Sequence, residues 1–162
     1  MNFRRVSLLI AFMGLASVPA FAQSSAKVVK VKPEQAVYKV KQGSSFQVAV
    51  VVDIDGGYHI NSNRPAEDFL IPTALKLEAL PGLRANAVRY PKAKVQKFSF
   101  SEKPLSVYEG RAVLRFTARA LPSISQGTHT IKGKLTIQAC NDQACLRPQT
   151  VDVEIPLEVS SL

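Results

Sequence analysis

Short runs of alternating apolar and polar residues recur along this chain, Gly, Pro, Asn and Asp punctuate them, and no stretch of convincing length carries the helical period. Those three observations predict an all-β fold of about nine strands, a single immunoglobulin-like antiparallel β-sandwich. The antibody signature is missing, because there is no Trp and the two cysteines stand too close in sequence to bridge two sheets.

The elements follow in order. Lys27-Val28-Val29-Lys30-Val31-Lys32 reads as a first edge strand whose lysines discourage pairing with another chain. Pro33-Glu34-Gln35 turns the chain, residues 37–40 extend, and Lys41-Gln42-Gly43 turns it again. Phe46, Val48, Val50, Val52 and Ile54 then line one face of a strand. Ala49 and Val51 make its other face apolar, so this strand is expected to be central. Asp55-Gly56-Gly57 signals a hairpin into Tyr58-His59-Ile60-Asn61. Residues 63–72 form a polar, Pro-bearing connection, Leu75 and Leu77 mark a strand, and Leu80-Pro81-Gly82 turns before residues 84–90 extend. Residues 92–104 break the alternation and carry Phe98 and Phe100. After an extended 105–109 and Gly110, Ala112, Leu114, Phe116 and Ala118 alternate with Arg111, Val113, Arg115 and Thr117. Residues 121–127 loop into the last two strands.

Those two strands flank the only cysteines. Ile131, Gly133, Leu135, Ile137 and Ala139 share one face, which puts Cys140 on the opposite, polar face. Val151, Val153, Ile155, Leu157 and Val159 repeat the pattern after the cysteines, so the two runs predict a hairpin with a short Asn-Asp connection. Cross-strand Cα atoms at a hairpin mouth lie about 4.5–5.5 Å apart, within the reach of a disulfide. Cys140 and Cys145 are therefore expected to bond on the outside of the sheet. As a staple, a loop this short contributes about 2 kcal/mol. As an accessible bond, it could instead exchange with a partner's thiols. Spacing alone leaves both readings open, and this is not the C-x-x-C pattern.

The chain opens with a basic Asn2-Phe3-Arg4-Arg5, an apolar run and Pro19-Ala20-Phe21-Ala22, the pattern of a signal peptide cut before Gln23. The apolar run is too short for a stable membrane insertion. The expected organisation is a signal peptide at 1–22, a short polar leader at 23–29 and one domain at 30–162. Removing Arg4 and Arg5 lowers the formal charge from +9 to +7. The remaining basic residues are scattered with no run, which argues against nucleic acid as a partner. Export places the cysteines where they pair unless something reduces them.

Gly57-Tyr58-His59-Ile60, Val107-Tyr108-Glu109-Gly110, and the stretch 135–148 followed by Glu154-Ile155-Pro156-Leu157 together resemble the periplasmic N-terminal domain of the thiol:disulfide interchange protein DsbD, over roughly residues 30–159. The resemblance implies an immunoglobulin-like sandwich in the periplasm. It also implies that Cys140 and Cys145 are the redox pair, with Cys145 forming the mixed disulfide and Cys140 resolving it. A cap loop shields the cysteines in that family, and residues 92–104 occupy its place, so Phe98 or Phe100 is the expected cap. The family's membrane electron channel and thioredoxin-like domain are absent from this sequence. The implied partners are a separate inner-membrane thiol transporter and periplasmic thioredoxin-like proteins, including those of cytochrome maturation.

Other chemistry is thinly signalled. His59 and His129, the only histidines, fall on expected strands with no acidic partner at a fixed offset and read as ordinary core or surface residues. Copper held by Cys140, Cys145 and a histidine is a minor option; the expectation is no metal and no cofactor. The favoured function is exchange of reducing equivalents through a reversible Cys140–Cys145 bond. The alternative is a noncatalytic exported sandwich, a binding or accessory domain whose disulfide only holds a hairpin.

Overall fold

The structure, a computed structural model, describes residues 24–161, so the expected signal peptide lies outside the described residues. A short 3-10 turn (Ser25–Lys27) leads into twelve strands. They are β1 (Val29–Pro33), β2 (Tyr38–Lys41), β3 (Ser45–Ile54), β4 (His59–Asn61), β5 (Ala74–Leu77), β6 (Leu83–Ala85), β7 (Lys94–Gln96), β8 (Leu105–Glu109), β9 (Arg111–Ala120), β10 (Gly127–Ile137), β11 (Ala139–Cys140) and β12 (Gln149–Ser160).

Two four-stranded sheets, β1-β3-β9-β6 and β2-β12-β10-β5, form the immunoglobulin-like sandwich. Their apolar alternations meet in one core. Val48, Val50, Val52, Leu114 and Phe116 come from the first sheet, and Ile131, Leu135, Ile155 and Leu157 from the second. The pairing is antiparallel except for β2, which joins the edge of β12 in parallel, Tyr38 opposite Leu157. The lysine-bearing β1 is an edge strand with Lys30 and Lys32 exposed, as its sequence predicts. β3 is central, and Ala49 and Val51 are buried on its second face.

A third sheet, β11-β4-β8-β7, sits where β3 and β10 end and β9 begins. It exists because long strands leave the sandwich and carry on. β10 passes through Gln138 into β11, and β8 passes through Gly110, at φ 63°, into β9. Two expectations change here. Asp55-Gly56-Gly57 does turn the chain, with the Tyr58 N–H donating to Asp55 O at 3.1 Å, yet β4 does not fold back on β3. Both edges of β3 are already taken, Val29 opposite Ile54 and Asp53 opposite Arg111, so β4 pairs with β8 and β11 instead. The stretch 92–104, which breaks alternation in the sequence, nevertheless holds β7 on the free side of β8.

Candidate functional site

β10 and β12 pair along their full length, from Gly127 opposite Val159 to Ile137 opposite Gln149. The connection between them is therefore not a short Asn-Asp turn but the excursion 138–148, which holds both cysteines. Gln138 interrupts the ladder, and beyond it Ala139 and Cys140 are both buried. The expected polar-face position of Cys140 is corrected by this change of sheet: the side chain is 0% exposed. Parity fails because β11 belongs to a different sheet from β10, with Ala139 opposite Ile60 and Cys140 opposite His59.

Cys140 and Cys145 are disulfide-bonded, and Cys145 is half-buried. Their Cα atoms are 3.9 Å apart, closer than at a hairpin mouth, because they face each other across a tight turn and not across β10 and β12. Asn141 makes that turn. Its N–H donates to Ala144 O at 3.0 Å, and its Oδ1 accepts from the N–H groups of Gln143 (2.9 Å) and Ala144 (2.8 Å). This is the Asx chemistry that lets Asn close a turn without help. The Leu146 N–H donates to Ala139 O at 2.8 Å on the far side of the cysteines. The turn is therefore held by hydrogen bonds that do not need the sulfur–sulfur bond.

Two polar side chains fasten this excursion to the rest of the fold. Ser25, fully buried, donates through its hydroxyl to Arg147 O at 2.7 Å and accepts from the Ala139 N–H at 3.0 Å. The stretch read as a polar leader is thus packed against the cysteine segment. Gln138 Oε1 accepts from Asn61 Nδ2 (3.1 Å) and from the Ile71 N–H (3.2 Å), tying β4 and the 63–72 connection to the same place. Ser25→Ala strands the buried Ala139 N–H, while Arg147 O keeps the Ser25 backbone N–H at 3.4 Å. The substitution is expected to cost about 1–3 kcal/mol. Urea unfolding measures the loss, and faster hydrogen exchange at the Ala139 amide localises it.

The aromatic residues expected to cap the site lie beside it. Phe98 is 4% exposed, packs with Leu70, Leu105 and Val107, and stacks on the His59 ring at 4.0 Å between centroids. Phe100 is more exposed, 6.3 Å from His59 and 5.6 Å from Phe98. Ser99 Oγ donates to Asp142 O at 2.5 Å, so the segment carrying both phenylalanines is bonded directly to the cysteine turn.

The residue that sequence reasoning passed over is His59. It was expected to be a satisfied core or surface histidine, but its Nε2 is buried with no hydrogen-bond partner. Burial holds its pKa below the usual imidazole value, while the carboxylates of Glu109 and Asp142 pull the other way. Glu109 is its cross-strand neighbour on β8. No sequence offset links these residues, since the pairing depends on three strands distant in the chain. His129 lies elsewhere, on β10, with Nε2 2.8 Å from Ser125 O. Among the described residues no three His, Cys, Asp or Glu side chains gather as a metal site, and no helix is long and apolar enough to cross a membrane.

A family model described as thiol:disulfide interchange protein DsbD, N-terminal, matches residues 27–156. No curated protein matches the chain. Similar solved structures include a family 123 glycoside hydrolase from Clostridium perfringens, at 10% identity and TM-score 0.37, covering 83% of this chain and 28% of that one. The major pilin subunit BcpA of Bacillus cereus aligns at 7% identity and TM-score 0.44, over 82% of this chain and 40% of that one. The periplasmic chaperone SfaE aligns at 11% identity and TM-score 0.33, over 82% and 57%. The chain thus spans less than half the length of the first two structures it matches.

Proposed function

The chain belongs to the family of DsbD N-terminal domains, and from that premise we propose that it carries reducing equivalents between a membrane thiol transporter and exported thioredoxin-like proteins. Cys140 and Cys145 are the exchanging pair, and the domain at 30–162, with residues 24–29 packed onto it, is their holder, released into the periplasm by cleavage before Gln23. The observation that carries this reading is the disulfide's setting: one sulfur-bearing residue half-buried at the edge, on a turn whose hydrogen bonds do not depend on the bond. Such a turn can survive opening and closing. Phe98 and Phe100 act as the cover: Phe98 is packed over His59, Phe100 is the exposed outer part, and Ser99 ties their segment to Asp142 of the turn.

A second reading has its own support. Cys140 is fully buried, and buried disulfides are commonly structural staples. A redox titration of the exported protein separates the two. Exchange predicts a potential of about −180 to −270 mV, whereas a staple predicts a value below about −300 mV. Reduction is expected to lower unfolding stability by about 2 kcal/mol, the figure for so short a loop, and to leave the far-ultraviolet circular dichroism unchanged. Unfolding on reduction would assign the bond to structure.

A further inference from the structure

Residues directly opposite each other in an antiparallel ladder project from the same face, with Cβ atoms about 4.5–5.5 Å apart. Cys140 on β11 stands opposite His59 on β4, and His59 stands opposite Glu109 on β8. Sulfur, imidazole and carboxylate therefore form one row across three strands. The imidazole is 2% exposed beneath Phe98, and its Nε2 lacks a partner. Buried polar atoms are almost always satisfied, and an exception at a reactive site calls for a chemical reason.

Resting on the exchange reading above, we propose that His59 is the proton carrier for Cys140, accepting its thiol proton as the disulfide closes and returning it as the disulfide opens. In the reduced protein the Cys145 thiolate attacks one sulfur of a client disulfide. The client's other sulfur leaves with the bonding electron pair and takes a proton from water. Cys140 then gives its proton to the imidazole, and its thiolate bonds to Cys145 Sγ. The second client sulfur departs as a thiolate and is protonated by solvent. Two electrons have passed from the cysteine pair to the client, and the imidazolium loses its proton to water. Reduction by an upstream dithiol runs the same steps backwards: the donor thiolate attacks Cys145 Sγ, and the Cys140 sulfur that leaves takes its proton from imidazolium.

The need for a carrier follows from burial. Cys140 is 0% exposed, so bulk water cannot take its proton, and apolar surroundings disfavour a thiolate. The charged groups facing the ring are Glu109 from β8 and Asp142 from the cysteine turn. Lys94 on β7 is bonded to Glu109 at 3.1 Å and offsets part of its charge. Phe98 and Phe100 face the ring from the 97–103 segment and carry no charge. Burial keeps the ring in its neutral, proton-accepting form, and the two carboxylates stabilise the imidazolium that forms.

The test mixes the reduced protein with 5,5′-dithiobis(2-nitrobenzoate) in a stopped-flow instrument, over a range of pH about neutrality. Attack by the first cysteine releases one nitrothiobenzoate, and ring closure by the second releases another. His59→Gln is expected to leave the first release unchanged. It slows the second about tenfold or more at neutral pH and moves its pH midpoint up towards that of an ordinary thiol, about 8.5. Glu109→Gln, a milder change at a half-buried site, removes a carboxylate that raises the ring's pKa, so its second-release midpoint moves down. A second release with the same rate and midpoint in both variants as in the wild type overturns the role of His59 and leaves the exchange reading intact. Failure of the wild type to give two releases overturns the exchange reading, and His59 with it.

Discussion

Cys145→Ser is expected to abolish exchange with a thioredoxin-like protein, and Cys140→Ala to stop it at the mixed disulfide. Exchange needs one thiolate to attack and a second to release the adduct. Cys145 is half-buried beside the exposed Ala144 and Arg147, whereas Cys140 is 0% exposed. A partner's sulfur can therefore approach Cys145 without rearrangement of the sheet. Removing Cys145 leaves no reachable sulfur, and the rate falls to the uncatalysed background. Removing Cys140 keeps the first step and deletes the second, so a one-to-one adduct accumulates that dithiothreitol dissolves. Non-reducing electrophoresis with mass spectrometry of the adduct reads both outcomes. Adducts formed by Cys145→Ser but not by Cys140→Ala would exchange the two roles.

Phe98→Ala is expected to lower stability and raise reactivity together. The side chain is 4% exposed and fills the space between His59 and a small cluster of Leu70, Leu105 and Val107. Truncating a buried Phe costs about 3–5 kcal/mol. The lower end applies here, because residues 99 and 100 beside it are exposed and can settle into the gap. At about 2–4 °C per kcal/mol for a domain of this size, the melting temperature falls by about 6–12 °C. The same truncation uncovers the ring beside Cys140, so reduction by dithiothreitol speeds up about tenfold, access being one of the factors that set exchange rates. A lower melting temperature with an unchanged reduction rate would make Phe98 a packing residue only.

Much of this was legible in the residues themselves. Alternation identified which faces of β3, β9, β10 and β12 turn inward, because side-chain direction in a strand has a period of two and is a local property. The same rule failed at Cys140, where the chain changes sheets at Gln138. The hairpin signal at Asp55-Gly56-Gly57 failed for a related reason, a good turn having found no free edge on β3. The resemblance to a redox family pointed to the cysteines and to the phenylalanines of 92–104, and the structure brings that segment against the cysteine turn. It gave His59 no role, although Gly57-Tyr58-His59-Ile60 is among the stretches that carry it, because the ring's neighbours are set by strand pairing.

Local sequence determined the all-β class, the apolar faces, the central position of β3 and the pair of sulfurs close enough to join. Each depends on spacing within one or two strands. Tertiary structure alone decided that Cys140 is buried while Cys145 sits at the edge, and that an imidazole and a carboxylate stand in line with the buried sulfur. Those facts come from which strands share a ladder. Ladder partners are chosen by the edges left free once the sandwich has closed, and no window of sequence contains them.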